Sequence, residues 1–205
     1  MKPVRFLTVA ILATAFLLTG AVLPVHDRAE VVTFHPDKTH SNVGFKVRHL
    51  GISNVRGAFG EYEATVQFDP EDLSTLSVDA TIQTSSVDTG NERRDNHLRS
   101  DDFFNAEEFP ELRFVSKEVR DLDGGEFKLV GDLTIRDVTK EIMLDAEFLG
   151  MAAGREGRKA GFEARTTINR FEYNLKFDAL TETGGLVVGS SVEIILEMEL
   201  DEQAG

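Results

Sequence analysis

The chain contains no cysteine, which excludes disulfides, thiolate nucleophiles, thiolate metal sites and a lipid anchor attached through cysteine. Tryptophan is absent too, and with only two tyrosines the fifteen phenylalanines supply nearly all the aromatic surface. Basic residues are scarce: 22 Lys and Arg against 36 Asp and Glu give a formal net charge of −14. Such a balance excludes a nucleic-acid partner, whose phosphates demand a basic face. There is no internal repeat and no long helical periodicity, which argues against solenoids and helix bundles. What remains is one domain's worth of soluble, β-rich sequence, 205 residues long and able to bury a sizeable core.

The long uncharged run stands at the start. Lys2 and Arg5 precede Phe6 to Leu23, after which His26, Asp27 and Arg28 return the chain to water. This reads as an export signal. Its eighteen residues are long for a cleaved signal, whose apolar core is roughly 7–15, and at the short edge of the roughly 17–25 that span a bilayer. A cleaved signal, with Thr19-Gly20-Ala21 as the small-residue site, an uncleaved membrane anchor formed by residues 6–23 and a buried core helix are the readings left open. Residues 1–29 are set apart on this basis from a folded domain over 30–205. Without them 19 basic and 35 acidic side chains remain, a formal −16, which disfavours binding of the folded part to anionic membrane by overall charge.

Past that segment the apolar period is two. Val43, Phe45, Val47 and His49 alternate with Lys46 and Arg48, and similar runs cover 58–68, 76–82, 112–117, 127–135, 142–148, 160–168 and 192–200. The short connection from Arg136 to Thr139 reads as a hairpin. Eight alternating strands separated by turn signals predict an all-β sandwich or a closed antiparallel barrel. Length favours the barrel, because Gly57 to Asp69 would extend for about 40 Å at roughly 3.3 Å per residue. Glu193, Glu197 and Glu199 face outward on the last strand, which excludes an outer-membrane barrel with an apolar exterior. Inward positions such as Phe45, Val47, Val66, Ile82, Leu133, Leu144, Phe162, Ile168 and Ile194 form either an ordinary core or the wall of an apolar cavity.

One stretch breaks the alternation. From Asp95 to Phe114 the sequence predicts a short helix, capped by Asn91 or Asp95, followed by a loop that Pro110 keeps from continuing as helix. Phe103, Phe104 and Phe109 point into apolar space and the surrounding acids stay in water. His97 is either a hydrogen-bonded latch holding the insert to the barrel or a contact to a ligand's polar head. Arg93, Arg94 and Arg99 form a local basic cluster that either binds an anionic head group or neutralises Glu92, Asp95, Asp101 and Asp102.

Catalytic constellations are thin. His35, His40 and His49 invite a metal hypothesis, yet His40 and His49 lie nine residues apart and would face opposite sides of one strand. Ser41 lacks a nucleophile elbow, and Gly124-Gly125 and Gly184-Gly185 are turns with no helix following to cradle a phosphate. An exported metal-binding protein or hydrolase using His40, His49 and His97 is the alternative to a binding protein.

The blocks Asp37 to Ser41, Phe45 to His49, Gly57-Ala58-Phe59, Asn96 to Phe104, Phe114-Val115-Ser116, Gly131 to Thr134 and Val138-Thr139 resemble, in order and spacing, those of the YceI-like family over residues 31–201. The resemblance implies an exported, periplasmic, eight-stranded antiparallel lipocalin-like barrel with a short helical insert. Such a barrel would hold a polyisoprenoid chain, either a prenyl pyrophosphate or an isoprenoid quinone, without catalysis and with no other cofactor. It also implies a homodimer. On this reading the ligand-binding residues are Phe45, Val47, His49, Ile82, Arg93, Arg94, His97, Phe103, Phe104, Leu133, Leu144, Phe162 and Ile168. At Arg170 to Leu175 the chain departs from the family's more glycine-rich turn.

Overall fold

A computed structural model describes residues 30–155 and 157–203. The run expected to act as an export signal therefore lies outside the described residues. The chain forms β1 (Val32–Pro36), β2 (Asn42–His49), β3 (Ser53–Phe59), β4 (Tyr62–Asp69), β5 (Asp72–Gln83) and β6 (Val87–Asp88). Then come a helix, α1 (Glu92–Arg99), and β7 (Glu111–Asp123), β8 (Glu126–Ile135), β9 (Val138–Ala153), β10 (Arg158–Asn169) and β11 (Val188–Glu202).

Every pairing is antiparallel, and the ring closes because β11 bonds to β10 on one side and to both β1 and β2 on the other. The eleven segments make eight staves. β1 and β2 share one edge of β11, β3 and β4 lie along that broken stave, and β5 and β6 form the next. The predicted strand from Gly57 to Asp69 is thus one stave interrupted at Gly60-Glu61 and begun four residues earlier, at Ser53. The first stave starts at Val32, ten residues ahead of β2, where Pro36 and the turn at Asp37–His40 disguise the alternation of Val32 and Phe34.

Alternation fixes which faces are inside. On β4, Tyr62, Ala64, Val66 and Phe68 are buried while Glu63, Thr65 and Gln67 are exposed. Toward one end, stacked and edge-on contacts join Phe34, Phe68, Phe127, Phe148 and Phe162, with centroids 4.8 to 6.5 Å apart. These rings close the floor. The opposite end carries α1 and the chain that follows it.

Asn91, not Asp95, caps α1: its side-chain oxygen accepts from the Arg94 amide at 3.1 Å. Asp95 departs from the expectation that the insert's acids stay in water. It is buried, because its carboxylate accepts both the amide (2.9 Å) and the hydroxyl of Thr89, donors that would otherwise be orphaned in the approach to the helix.

Candidate functional site

The barrel is hollow. A cavity of about 430 Å³, lined almost wholly by apolar side chains, extends between the phenylalanine floor and the helical insert. Phe45, Val47, Val188, Val192 and Ile194 point inward yet stay only half-buried. Their partial exposure is to the cavity they line, since close packing would otherwise have covered them.

Two glycines shape this wall. Phe45 pairs with Gly57 across β2 and β3, and a β-carbon at Gly57 would lie 2.5 Å from the Phe45 ring. At Gly131 on β8 a β-carbon would lie 2.5 Å from the Phe114 ring. Each missing side chain lets a ring lie flat along the wall instead of projecting into the lumen.

The cavity opens at the insert end. His97 lines it and leaves 42 % of its side chain in solvent. Its Nε2 lies 2.8 Å from Asp102 Oδ2, and its ring stands edge-on to Phe103 and Phe177. His97 therefore latches the insert to the chain beyond β10 while facing the lumen. Phe103 and Phe104 are buried, Phe103 stacked on Phe177 and Phe104 edge-on to Phe59.

Of the sequence-predicted residues, Phe45, Val47, His49, Ile82, Arg94, His97, Phe103, Phe104, Leu133, Leu144, Phe162 and Ile168 line the cavity. Arg93 does not; it is exposed and takes no part in the lining, because adjacent positions on a helix diverge by about 100°. The basic cluster divides three ways. Arg94 donates from Nε to the Thr89 hydroxyl (2.7 Å) and from Nη2 to its carbonyl (2.9 Å). Arg99 binds the carbonyls of Ser85 (2.7 Å) and Val87 (2.9 Å), and so holds the insert to the wall.

Two buried arginines escaped the sequence reading. Arg170, 2 % exposed, donates to the carbonyls of Gly189 (2.9 Å), Leu175 (3.0 Å) and Val188 (3.0 Å) and stacks on Phe171. Burial pushes its pKa down from the ordinary arginine value, but three carbonyl acceptors suit a guanidinium that keeps its charge. Here the departure from the glycine-rich turn is resolved: Asn174 supplies the left-handed conformation (φ 59°) that a glycine would take. Arg136, in the turn between β8 and β9, donates from Nη1 to the carbonyls of Asp101, Phe103 and Asn174, all at 2.9 Å. Tyr62 also lines the cavity, and its hydroxyl is buried without a hydrogen-bond partner among the described residues. Burial raises its pKa.

The histidines do not converge. His49 pairs with Val188 at one end of β11, whereas His40 Nδ1 sits 3.6 Å from Glu199 near the other, about 36 Å away at roughly 3.3 Å per residue. Asp37, His40 and Glu199 do cluster, but Lys159 already fills the position a cation would take. Its ammonium lies 2.9 Å from Asp37, 2.8 Å from Glu199 and 2.6 Å from Asp201. A metal would have to displace that ammonium.

Residues 34–200 match the YceI-like domain. The chain belongs to the YceI-like family. It is 41 % identical over 165 residues to a UPF0312 protein of Staphylococcus aureus (strain USA300), covering 80 % of this chain and 94 % of that one. Among solved structures, the YCEI protein of Campylobacter jejuni is similar with a TM-score of 0.68 at 39 % identity, over 82 % of this chain and 96 % of that one. A polyisoprenoid binding domain from Saccharophagus degradans, implicated in plant cell wall breakdown, shares the fold with a TM-score of 0.63 at 13 % identity, over 85 % and 100 % of the two chains. The closed eight-stranded antiparallel barrel with its short helix is thus the fold expected of a YceI-like domain.

Proposed function

We propose that this YceI-like barrel binds a long-chain isoprenoid lipid, a prenyl pyrophosphate or an isoprenoid quinone, and carries or sequesters it in the periplasm without catalysis. The observation that carries the reading is the continuous apolar hollow, with half-buried inward residues, running from the phenylalanine floor to a mouth where His49, Arg94 and His97 stand. A polyprenyl tail has no polar atoms to satisfy, and moving it from water into such a lumen is worth about 25 cal/mol per Å² of apolar surface. A water-filled lumen of this composition would be unfavourable, since water needs two to four polar partners. The polyisoprenoid-binding description of the S. degradans neighbour agrees with this ligand class.

Export through residues 1–29, with cleavage or with retention of residues 6–23 as an anchor, and assembly as a homodimer belong to the same reading. Sequencing the mature N-terminus after cell fractionation and measuring the mass in solution check both. For the ligand, the native protein is purified without detergent, extracted with organic solvent and analysed by mass spectrometry. A co-purifying prenyl lipid in near-stoichiometric amount is the expected result. An empty barrel that also fails to take up a prenyl lipid on incubation overturns the reading.

A further inference from the structure

The turn between β2 and β3 places its apolar side chains outward. Leu50 is 45 % exposed and Ile52 83 %. Leu50 also occupies a left-handed backbone conformation (φ 52°), followed by Gly51 (φ 75°) in a hairpin turn closed by the Ile52 amide on the His49 carbonyl at 3.1 Å. Asparagine, aspartate or glycine suits that position, and a branched apolar residue there is strained. The chain thus combines backbone strain with apolar exposure at a site where neither helps folding.

The tip is rigidly placed at the cavity mouth. The Leu50 amide donates to the Val187 carbonyl at 2.9 Å, and both His49 and Val187 line the cavity. Phe171 and Leu180, on two other loops of this end, are exposed as well. Along the hairpin itself the charge is opposite to that of the domain. Between Phe45 and Glu61 the chain carries Lys46, Arg48 and Arg56 and no acid, on a domain of formal charge −16. Lys46 is paired with Glu193, while Arg48, which also borders the cavity, and Arg56 are exposed and make no ion pair among the described residues. An apolar tip flanked by free arginines complements an anionic bilayer: side chains enter the acyl boundary while guanidinium groups meet phosphate.

We infer that the β2–β3 hairpin docks the barrel, mouth first, on an anionic lipid surface. The inference concerns contact with the bilayer and does not depend on which cargo the cavity holds. Because the chain lacks cysteine, a single Ile52→Cys substitution in the full chain carries an environment-sensitive dye at the tip, and Leu122→Cys, at the end of β7, carries it at another exposed site. Vesicles of phosphatidylcholine with phosphatidylglycerol should shift the emission of the dye at position 52 to the blue, and lipid-borne quenchers should quench it; the dye at 122 should do neither. Arg48→Glu with Arg56→Glu should raise the lipid concentration needed for half the shift by about tenfold. Thermal unfolding of each variant matched to the wild type keeps a negative result from being misfolding. No shift at 52, as for a tip that meets a protein partner, or equal shifts at 52 and 122, as for a chain held only by its apolar N-terminal run, overturns the inference. Loss of cargo in the extraction experiment leaves this result untouched, so the two readings fail separately.

Discussion

Arg136 Nη2 donates to Asp101 Oδ1 at 2.8 Å, tying the turn between β8 and β9 to the insert that covers the barrel. The pair is asymmetric. The guanidinium is buried among three carbonyls, and the carboxylate is largely in solvent. Removing the arginine orphans the carbonyls, whereas removing the carboxylate only weakens an accessible ion pair. Arg136→Met should therefore cost about 2–4 kcal/mol in urea unfolding, and Asp101→Asn far less. Equal costs would refute this division. Hydrogen bonding from Arg136 also lowers the Asp101 pKa. Its contribution is accordingly present above the ordinary value of 3.8 and lost as pH falls below it.

The Phe45 ring lies over Gly57, at 2.5 Å from where a β-carbon would be. Gly57→Val has no room unless that ring swings away, and the lumen is the free space beside it. The expected outcome is lipid uptake reduced about tenfold, with a stability loss of about 1–3 kcal/mol. Phe162→Ala, in the floor, should behave as a core truncation and cost about 3–5 kcal/mol, while Phe45→Ala on the half-buried wall should cost less. Chemical unfolding with and without added prenyl lipid checks both. Identical costs at the two positions would assign Phe45 to ordinary core.

How far the sequence could be read follows from what each residue faces. Strands such as Tyr62–Phe68 were legible because one side meets water and the other does not, a contrast that period two reports directly. The division of the insert's arginines was not. Arg93 and Arg94 are adjacent and chemically alike, and only the rotation of α1 sends one outward and the other to the cavity. Arg136 and Arg170 were hidden for another reason. Arginine beside a turn ordinarily means a solvated surface, and nothing local in the sequence reveals that three carbonyls from distant segments meet there. Hollowness is illegible for the same cause: a wall and a filled core use the same alternating residues.

At the far end from the mouth, Asp37 is shared by His40 and Lys159. The hydrogen bond from His40, then that from Lys159, holds the Asp37 carboxyl well below the carboxylate range, and Asp37 raises His40 above its ordinary 6.5. The carboxylate's contribution is present above 3.8 and lost as pH falls; that of His40 is present below 6.5 and lost as pH rises through its elevated folded value. The knot is strongest between these limits. His40 is largely in solvent, so its effect on stability is small, and NMR titration of His40 reads it better than melting does. The His40 pKa should fall toward 6.5 in Asp37→Asn. An unchanged value would show that Glu199, 3.6 Å away, dominates instead.

Arg94 decides between the two head groups. Its Nε and Nη2 are engaged by Thr89, which leaves Nη1 without a protein partner among the described residues, on a residue that lines the cavity near the half-exposed His97. A pyrophosphate approaching a domain of formal charge −16 needs a local cation to overcome the general field, and guanidinium is the group best matched to phosphate oxygens. If the cargo is a prenyl pyrophosphate, Arg94→Ala should weaken binding more than tenfold, about 1.4 kcal/mol, and flatten its dependence on salt. Arg93→Ala, on the exposed face of the same helix, should change little and serves as the control. An uncharged quinone reverses the pattern. Its ring carbonyls accept hydrogen bonds, so affinity should survive Arg94→Ala and drop on substitution of His49 or of His97. Titrating wild type and the Arg93, Arg94 and His97 variants with a prenyl pyrophosphate and a quinone of equal chain length, at low and high salt, separates the cases. Equal affinity of wild type and Arg94→Ala for the pyrophosphate would remove this arginine from the site.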